Sequence, residues 1–347
     1  MVTRGDERSV AVESSGAGAQ DQGSACVDVI VVHHERDDLT ARCLEALAAD
    51  TELLRSVTVV DSGSTRPWRA QHLGSCARSY SAPEQAGLVP VLHVMSLEQN
   101  VGYAEGNNRG LEARVPEGAG YYLVLNNDAY VTPGALRAMV GRSESTGAGM
   151  VVPAVYRAGD PSLVDRFGLT LTRSGAAYDR VSEDDGPLLC PSGCAAMYRR
   201  DVVVDLMADA EGFFDRSFVA YAEDLDSGLR ARARGHAATF AHDAVVYHQG
   251  SASFGRGSPL AHRLRHRNTI CAIAKNYSAG LLLTEGPLLL AGQLLGLLRA
   301  IPTGRFLVTL RGKLEGLGRA FGARWGTRGR ARVRSNALLD PRFAIRR

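Results

Sequence analysis

Three places in the sequence set a carboxylate or an imidazole where an apolar stretch stops, and a fourth sets carboxylates where a helix starts. Residues 121–125 (Tyr-Tyr-Leu-Val-Leu) run straight into Asn126, Asn127 and Asp128. Residues 56–60 run into Asp61, followed by the small turn Ser62-Gly63-Ser64. Glu223, Asp224 and Asp226 open a helical stretch carrying Leu229, Arg230 and Arg234 and closed by Gly235, and residues 244–247 end on His248. In an open α/β sheet, ligands collect at the carboxyl ends of the strands. A carboxylate there can hold a hard divalent ion, and the ion can hold a diphosphate. One of three carboxylates at a helix start can serve as a general base. Each group also has a plainer reading. Asp128 can cap a helix beginning near Pro133, the acidic trio can simply complement the helix dipole, and His248 can be an ordinary polar residue at a strand end.

These groups need a scaffold, and the preceding sequence supplies one. Residues 27–32 are a near-continuous β-branched run, the pattern of a buried parallel strand. His33-His34-Glu35-Arg36 follows where a first strand-to-helix loop should lie, and Leu39, Cys43, Leu44 and Leu47 have helical spacing after Asp37 or Asp38 as cap. Residues 66–87 read as loop and 89–95 as a third short strand. Gly102, Gly106 and Gly110 recur at intervals of four, which is not the G-x-G-x-x-G dinucleotide pattern. They sit in a loop entering a helix that runs to about Arg114, and serve either a close approach to a ligand or tight packing of that helix on the sheet. A further helix is expected from Pro133 to about Glu144. Beyond residue 150 short β-like pieces (150–156, 168–173) alternate with loops, the acidic 179–187 segment is expected to be mobile, and 191–198 is a small-residue strand that lets a ligand or backbone come close.

The bulk numbers fit a globular chain with a substantial core: 347 residues, 45% hydrophobic and 22% charged. Six cysteines (26, 43, 76, 190, 194, 271) show no metal-site spacing and suit free thiols in a reducing compartment. Residues 1–24 are polar and Gly/Ser-rich, without the apolar core of a signal peptide, and read as a disordered tail. The net charge of +3 hides an asymmetry. From Arg299 to Arg347 there are 13 Lys/Arg against Glu315 and Asp340, a local +11, so the rest of the chain carries −8. An acidic body with a basic end points to an anionic partner surface.

Singly these signals are weak; their order is specific. The strand to Asp61, Asn-Val-Gly-Tyr-Ala-Glu-Gly-Asn-Asn (100–108), Leu-Asn-Asn-Asp (125–128), Ser-Gly-Cys-Ala-Ala-Met (192–197), Phe-Asp-x-x-Phe (214–218), Glu-Asp-Leu-Asp (223–226) and Val-Val-Tyr-His (245–248) together resemble family 2 glycosyltransferases, most closely the bacterial rhamnosyltransferase-type members. The resemblance covers about residues 26–255. It implies an α/β GT-A fold, a Rossmann-like mixed sheet flanked by helices, and inverting transfer of a sugar, rhamnose favoured, from a nucleotide-diphospho-sugar donor to an acceptor hydroxyl with Mg²⁺ or Mn²⁺. Carried onto this sequence, Asp61 contacts the nucleoside and His34 stands where the family has an aromatic beside the base. Asn107 and Asn126 belong to the nucleotide-sugar site. Asp128 matches the metal-binding carboxylate of the D-x-D-like motif, opened here by Asn126, and His248 matches the histidine that completes the metal site. Asp224 matches the catalytic base, Glu223 is its orienting neighbour, and Asp226 is structural. His33-His34-Glu35 replaces the family's usual Asn-Tyr-Asn-like turn, so the donor's identity stays open.

The expected organisation is a disordered tail over 1–25, a catalytic domain over 26–255, a helical extension over 256–326 and a basic tail over 327–347. In the extension, Leu281–Leu283 and Leu288–Leu298 are interrupted by Glu285, Pro287 and Gln293, so no run approaches the ~20 residues that span a bilayer. An interfacial helix beside a +11 segment fits peripheral attachment to an anionic membrane at the cytoplasmic face; the alternative is a helical subdomain packed on the catalytic domain. No aromatic interleaving accompanies Arg328–Arg334, so nucleic acid is not an expected partner. Two other functions are set against sugar transfer: a catalytically inactive sugar-nucleotide-binding scaffold, and a sugar-1-phosphate nucleotidyltransferase. The latter needs a Gly-rich basic loop where His33-His34-Glu35-Arg36 stands.

Overall fold

The computed structural model describes residues 25–80, 90–250, 258–327 and 329–342. The expected disordered tail, save residue 25, and residues 343–347 of the basic tail lie outside them. The first half runs β1 (Val27–His33), α1 (Asp37–Ala48), β2 (Leu54–Ser62), β3 (Val91–Leu97), α2 (Gly102–Arg114), β4 (Tyr121–Asn126), β5 (Ala129–Val131), α3 (Ala135–Thr146) and β6 (Met150–Arg157). Then come β7 (Asp160–Arg166), β8 (Leu169–Leu171), β9 (Ala177–Asp179), β10 (Ala195–Arg199), α4 (Arg200–Met207), α5 (Glu223–Ala233) and β11 (Ala238–His248). Three longer helices close the chain: α6 (Pro259–Asn276), α7 (Ala279–Ala300) and α8 (Phe306–Gly326).

A nine-stranded mixed sheet in the order β3-β2-β1-β4-β10-β6-β11-β5, with β7 on β6, is the frame. β3, β2, β1 and β4 are parallel, β10 is antiparallel to both its neighbours, and β6 and β11 are again parallel. The β-branched alternation of β1 explains the layering. Val27, Val29 and Val31 face a core shared with Leu44 and Leu47 of α1 and Leu136 and Met139 of α3. Ile30 faces the opposite core, shared with Leu111 of α2, Val203 of α4, Leu229 of α5 and Ala272 of α6. The glycines of α2 serve this packing: a Cβ on Gly110 would stand 2.4 Å from Ile30 Cγ2, and one on Gly106 3.0 Å from Val32. The helix can lie on β1 only without those side chains.

Several elements depart from the sequence reading. β5, β7 and α4 were not anticipated, and part of the loop expected at 66–87 is a 3-10 helix over Ala70–Ser79. The acidic 179–187 segment is tied down rather than mobile, because the buried Arg180 donates to the carbonyls of Phe167, Glu183 and Gly186. The leucine region is one continuous helix of 22 residues, long and apolar enough to cross a bilayer, with a mean hydropathy of 1.6 over its most apolar 18 residues. The interruptions do not break it because two of them turn inward. Glu285 is buried in a bidentate pair with Arg173, and Gln293 accepts from Lys313. The described part of the basic C-terminal segment folds back onto the body, where Val333 pairs with Tyr277 and Asp340 with Thr172.

Candidate active site

Strand register collects the polar residues at one end of the sheet. His33 pairs with Asp61 across β1–β2, and Val32 pairs with Asn126 across β1–β4. β5 then runs antiparallel to β11, setting His248 opposite Ala129 and therefore beside Asp128. His248 Nε2 lies 3.3 Å from Asp128 Oδ1, with both residues about 5% exposed. The other ring nitrogen, Nδ1, donates to Asp165 Oδ2 at 2.8 Å. Since a carboxylate only accepts, the neutral ring carries its proton on Nδ1 and turns a lone pair on Nε2 toward Asp128. Two lone-pair atoms that close are held together by a proton or a metal cation between them. Burial would lower the His248 pKa, but the Asp128 and Asp165 carboxylates raise it. The geometry also fits a metal, because adjacent ligands at about 2.1 Å and 90° stand about 3.0 Å apart. Among the described residues no group of three His, Cys, Asp or Glu side chains is placed to hold a metal, so the protein offers a two-point seat in which Asp165 orients the imidazole.

Asp165, which the sequence reading missed, extends this seat into a network. Despite burial, the His248 imidazole and the Arg166 guanidinium hold its carboxyl well below the usual range. Arg166 Nε donates to Asp165 at 2.8 Å and Nη1 to Ser192 Oγ at 2.9 Å. The next residue, Gly193, donates its backbone N–H to Asp224 Oδ2 at 3.0 Å. A continuous polar path therefore joins Asp128 to Asp224 through His248, Asp165, Arg166 and the 192–193 turn.

Asp224 and Glu223 form the first turn of α5, and their environments differ. Asp224 is half-buried; its Oδ1 accepts from the Leu225 N–H at 2.8 Å. Glu223 is buried, with Oε2 lacking a hydrogen-bond partner among the described residues. Burial, reinforced by the Asp224 charge, pushes the Glu223 carboxyl up to about 8. Burial also raises Asp224, opposed by the Gly193 and Leu225 N–H groups. One carboxyl stays protonated at neutral pH beside one that can ionise, a common division of labour in acid–base sites.

The approach to this turn is strained. Val219, Tyr221 and Ala222 all have left-handed φ values, 65°, 69° and 63°, each costing on the order of 1–3 kcal/mol for a non-glycine residue. Helix α6 holds them there. Asn268 Nδ2 donates to the carbonyls of Phe218, Ala220 and Tyr221 at 3.1, 3.0 and 2.8 Å. Below the turn, buried Asp226 is gripped by Lys275 at 3.0 Å, Arg230 at 3.0 Å and Asn276 at 2.7 Å.

The remaining predicted residues are placed less directly. His34, half-buried at the end of β1, donates from Nδ1 to the Ser62 carbonyl at 2.9 Å. Asp61 is buried and accepts from Ser64 N and Oγ and from Trp68 N, shaping the 62–68 loop. Asn126 is partly exposed at the end of β4. Asn107 is wholly buried in α2, its Nδ2 donating to the Tyr103 carbonyl at 2.9 Å and its Oδ1 without a hydrogen-bond partner among the described residues.

A family model described as glycosyl transferase family 2 matches residues 28–207. Among solved structures, the mannosyltransferase PcManGT from Pyrobaculum calidifontis, in complex with GDP-Man and Mn²⁺, aligns with a TM-score of 0.54 and 17% identity over 84% of this chain and 86% of its own. GalNAc-T7 with UDP, GalNAc and Mn²⁺ aligns with a TM-score of 0.53 and 14% identity over 73% of this chain. TarS of S. aureus aligns at 0.49 and 17% over 72%. The chain spans 48% of GalNAc-T7 and 39% of TarS. None of the curated proteins matches the sequence.

Proposed function

We propose that this chain, which belongs to glycosyl transferase family 2 and has the GT-A fold, is a glycosyltransferase that moves a sugar from a nucleotide-diphosphate donor to an acceptor hydroxyl with inversion. Rhamnose is the sugar favoured by the order of its motifs, and cell-surface glycan or glycoconjugate assembly in the cytoplasm is the setting. The observation that carries the reading is the polar path from Asp128 and His248 to Asp224. It joins a cation seat at the strand ends to a poised carboxylate. Two solved GT-A structures, PcManGT and GalNAc-T7, hold a nucleotide or nucleotide-sugar with Mn²⁺, which supports a donor and a divalent ion of the same class here.

In this mechanism Asp128 and His248, at the ends of β4 and β11, would hold Mg²⁺ or Mn²⁺ beside the donor's diphosphate. The ion would supply Lewis-acid stabilisation to the departing diphosphate. His34, Asp61 and Asn126 wall the nucleoside side. Asn107 serves this side only by holding α2 in place. Asp224 accepts the proton of the attacking acceptor hydroxyl as the anomeric carbon becomes oxocarbenium-like. Glu223, neutral at pH 7, keeps a second negative charge away from the base. Inversion follows from one base and a single displacement.

The test is a thermal-shift screen against nucleotide-sugars with and without Mn²⁺, run beside Asp128→Ala. A donor at 100 times its Kd stabilises by about 2.7 kcal/mol. The expected result is a metal-dependent rise in midpoint for one donor, lost in the variant. A folded protein that responds to no donor refutes the site.

A further inference from the structure

Helix α7 presents one face to the protein and leaves the other uncovered. Its inner face is anchored: Leu281 and Glu285 are buried, and Gly292 lies so close to Ser174 that a Cβ would stand 2.2 Å from that residue's carbonyl oxygen. The outer face carries Leu283, Leu290, Leu294 and Leu298, spaced by about one or two helical turns and each more than half exposed. Across the turn at 301–304, α8 repeats the pattern with Leu307, Leu314 and Phe321, also more than half exposed. Soluble monomers rarely leave apolar surface of this extent open.

The charge around this surface identifies what covers it. Between Glu285 and Glu315 the sequence has no acidic residue, while Arg299, Arg305, Arg311 and Lys313 fall within it. Arg299 and Arg305 flank the turn and are exposed, beside exposed Leu298, Ile301 and Leu307. Leucines on one face with arginines at their margin match the boundary between acyl chains and anionic headgroups. A second copy of the chain would bring the same arginines together without counter-charge. Spanning is excluded by the anchored inner face, because Arg173 and Asn336 hold Glu285 to the folded body midway along the helix's first half.

We propose that the outer faces of α7 and α8 form a membrane-docking surface that lies flat on a bilayer rich in anionic phospholipid. It places the transferase at a lipid surface, so an acceptor carried by a membrane lipid reaches the site without the enzyme leaving it.

The experiment is vesicle co-sedimentation of the full chain with phosphatidylcholine alone and with phosphatidylcholine containing one third phosphatidylglycerol. Binding to the anionic vesicles and release by high salt or alkaline carbonate are expected. Arg299→Gln with Arg305→Gln should weaken binding by about 30-fold, each arginine at the surface being worth about fivefold. Leu290→Gln with Leu294→Gln and Leu298→Gln should abolish it. These side chains are exposed, so melting midpoints should match the wild type. Equal binding to neutral vesicles, no binding to either, or retention by the leucine variant overturns the proposal. So does resistance to carbonate, which would mean a spanning helix. A dimer in light scattering that the leucine variant dissociates would assign the surface to a second copy instead. Failure here leaves the donor-induced thermal shift untouched, so the two readings fail separately.

Discussion

Replacing Lys275 with methionine tests how the base-bearing turn is held. Lys275 is 1% exposed and its Nζ stands 2.5 Å from Asp215 Oδ2 and 3.0 Å from Asp226 Oδ1. Burial alone would lower the ammonium pKa, but the two carboxylates overcome it and raise it. Conversely, burial would raise Asp226, yet Lys275 and Arg230 hold it at about 2. Asp226 is thus depressed below its unfolded value. Its contribution, on the order of 2 kcal/mol, is present above the unfolded pKa and is lost as pH falls through the folded one. Methionine keeps the volume and removes only the charge. Breaking a buried pair this way costs about 3–5 kcal/mol, and because Arg230 and Asn276 still reach Asp226 the lower end, about 3 kcal/mol, is expected. Without the ammonium Asp226 loses its largest stabilising charge and keeps only Arg230 and Asn276 against burial, so the variant has less stability to lose than the wild type as pH falls through the folded Asp226 pKa. Urea denaturation of both proteins at pH 7.5 and pH 3, at fixed ionic strength, should show the gap narrowing by about 1 kcal/mol. In an Asp226→Asn background the same replacement should cost about 2 kcal/mol less. A gap under about 1 kcal/mol at pH 7.5, or one that does not change with pH, refutes the clamp.

Two further predictions concern the chemistry. Asp224→Asn should lower the transfer rate by about 10²–10⁴-fold with donor affinity unchanged, while Glu223→Gln, which copies a carboxyl already protonated at pH 7, should stay within about tenfold of wild type; pH–rate profiles should show activity lost as pH falls through a limb above the ordinary carboxylate range, and similar losses in both variants would refute the division of roles. Asp165→Asn should weaken Mn²⁺ activation by about 10–100-fold through the His248 ring, read as a shift in half-saturating Mn²⁺ at saturating donor, and an unchanged value would remove Asp165 from the site.

Much of this site was legible because its signals are local. A β-branched run ending in a carboxylate states both the strand and the polar end, and the register of the parallel strands then brings those ends together whatever lies between them. The strand-end positions of Asp61, Asn126 and Asp128 were read that way. Asn107 stands in a matching string, and in the fold the glycines around it press α2 onto β1 while its Nδ2 donates to the Tyr103 carbonyl. Asp165 was not legible at all. Nothing in Asp160–Arg166 marks a strand strongly, since its residues face solvent for most of their length, and its role exists only because β7 pairs with β6 and carries Asp165 to the end of β11.

The helical extension fails to read for a related reason. In the sequence, Glu285 and Gln293 count against a continuous apolar helix, because hydropathy sums residues without regard to the side they occupy. In the fold their side matters more than their polarity. Glu285 meets Arg173 from a loop more than 100 positions away, Gln293 meets Lys313 from the returning helix, and both lie on the inner face with Gly292. Removing them from the count leaves an outer face dominated by Leu283, Leu290, Leu294 and Leu298. The polar residues that make α7 look unlike a membrane element are the ones that fix it to the enzyme, and by fixing it they turn its apolar side outward. Substituting them should therefore loosen the helix from the body, whereas substituting the outer leucines should change what the body can rest upon.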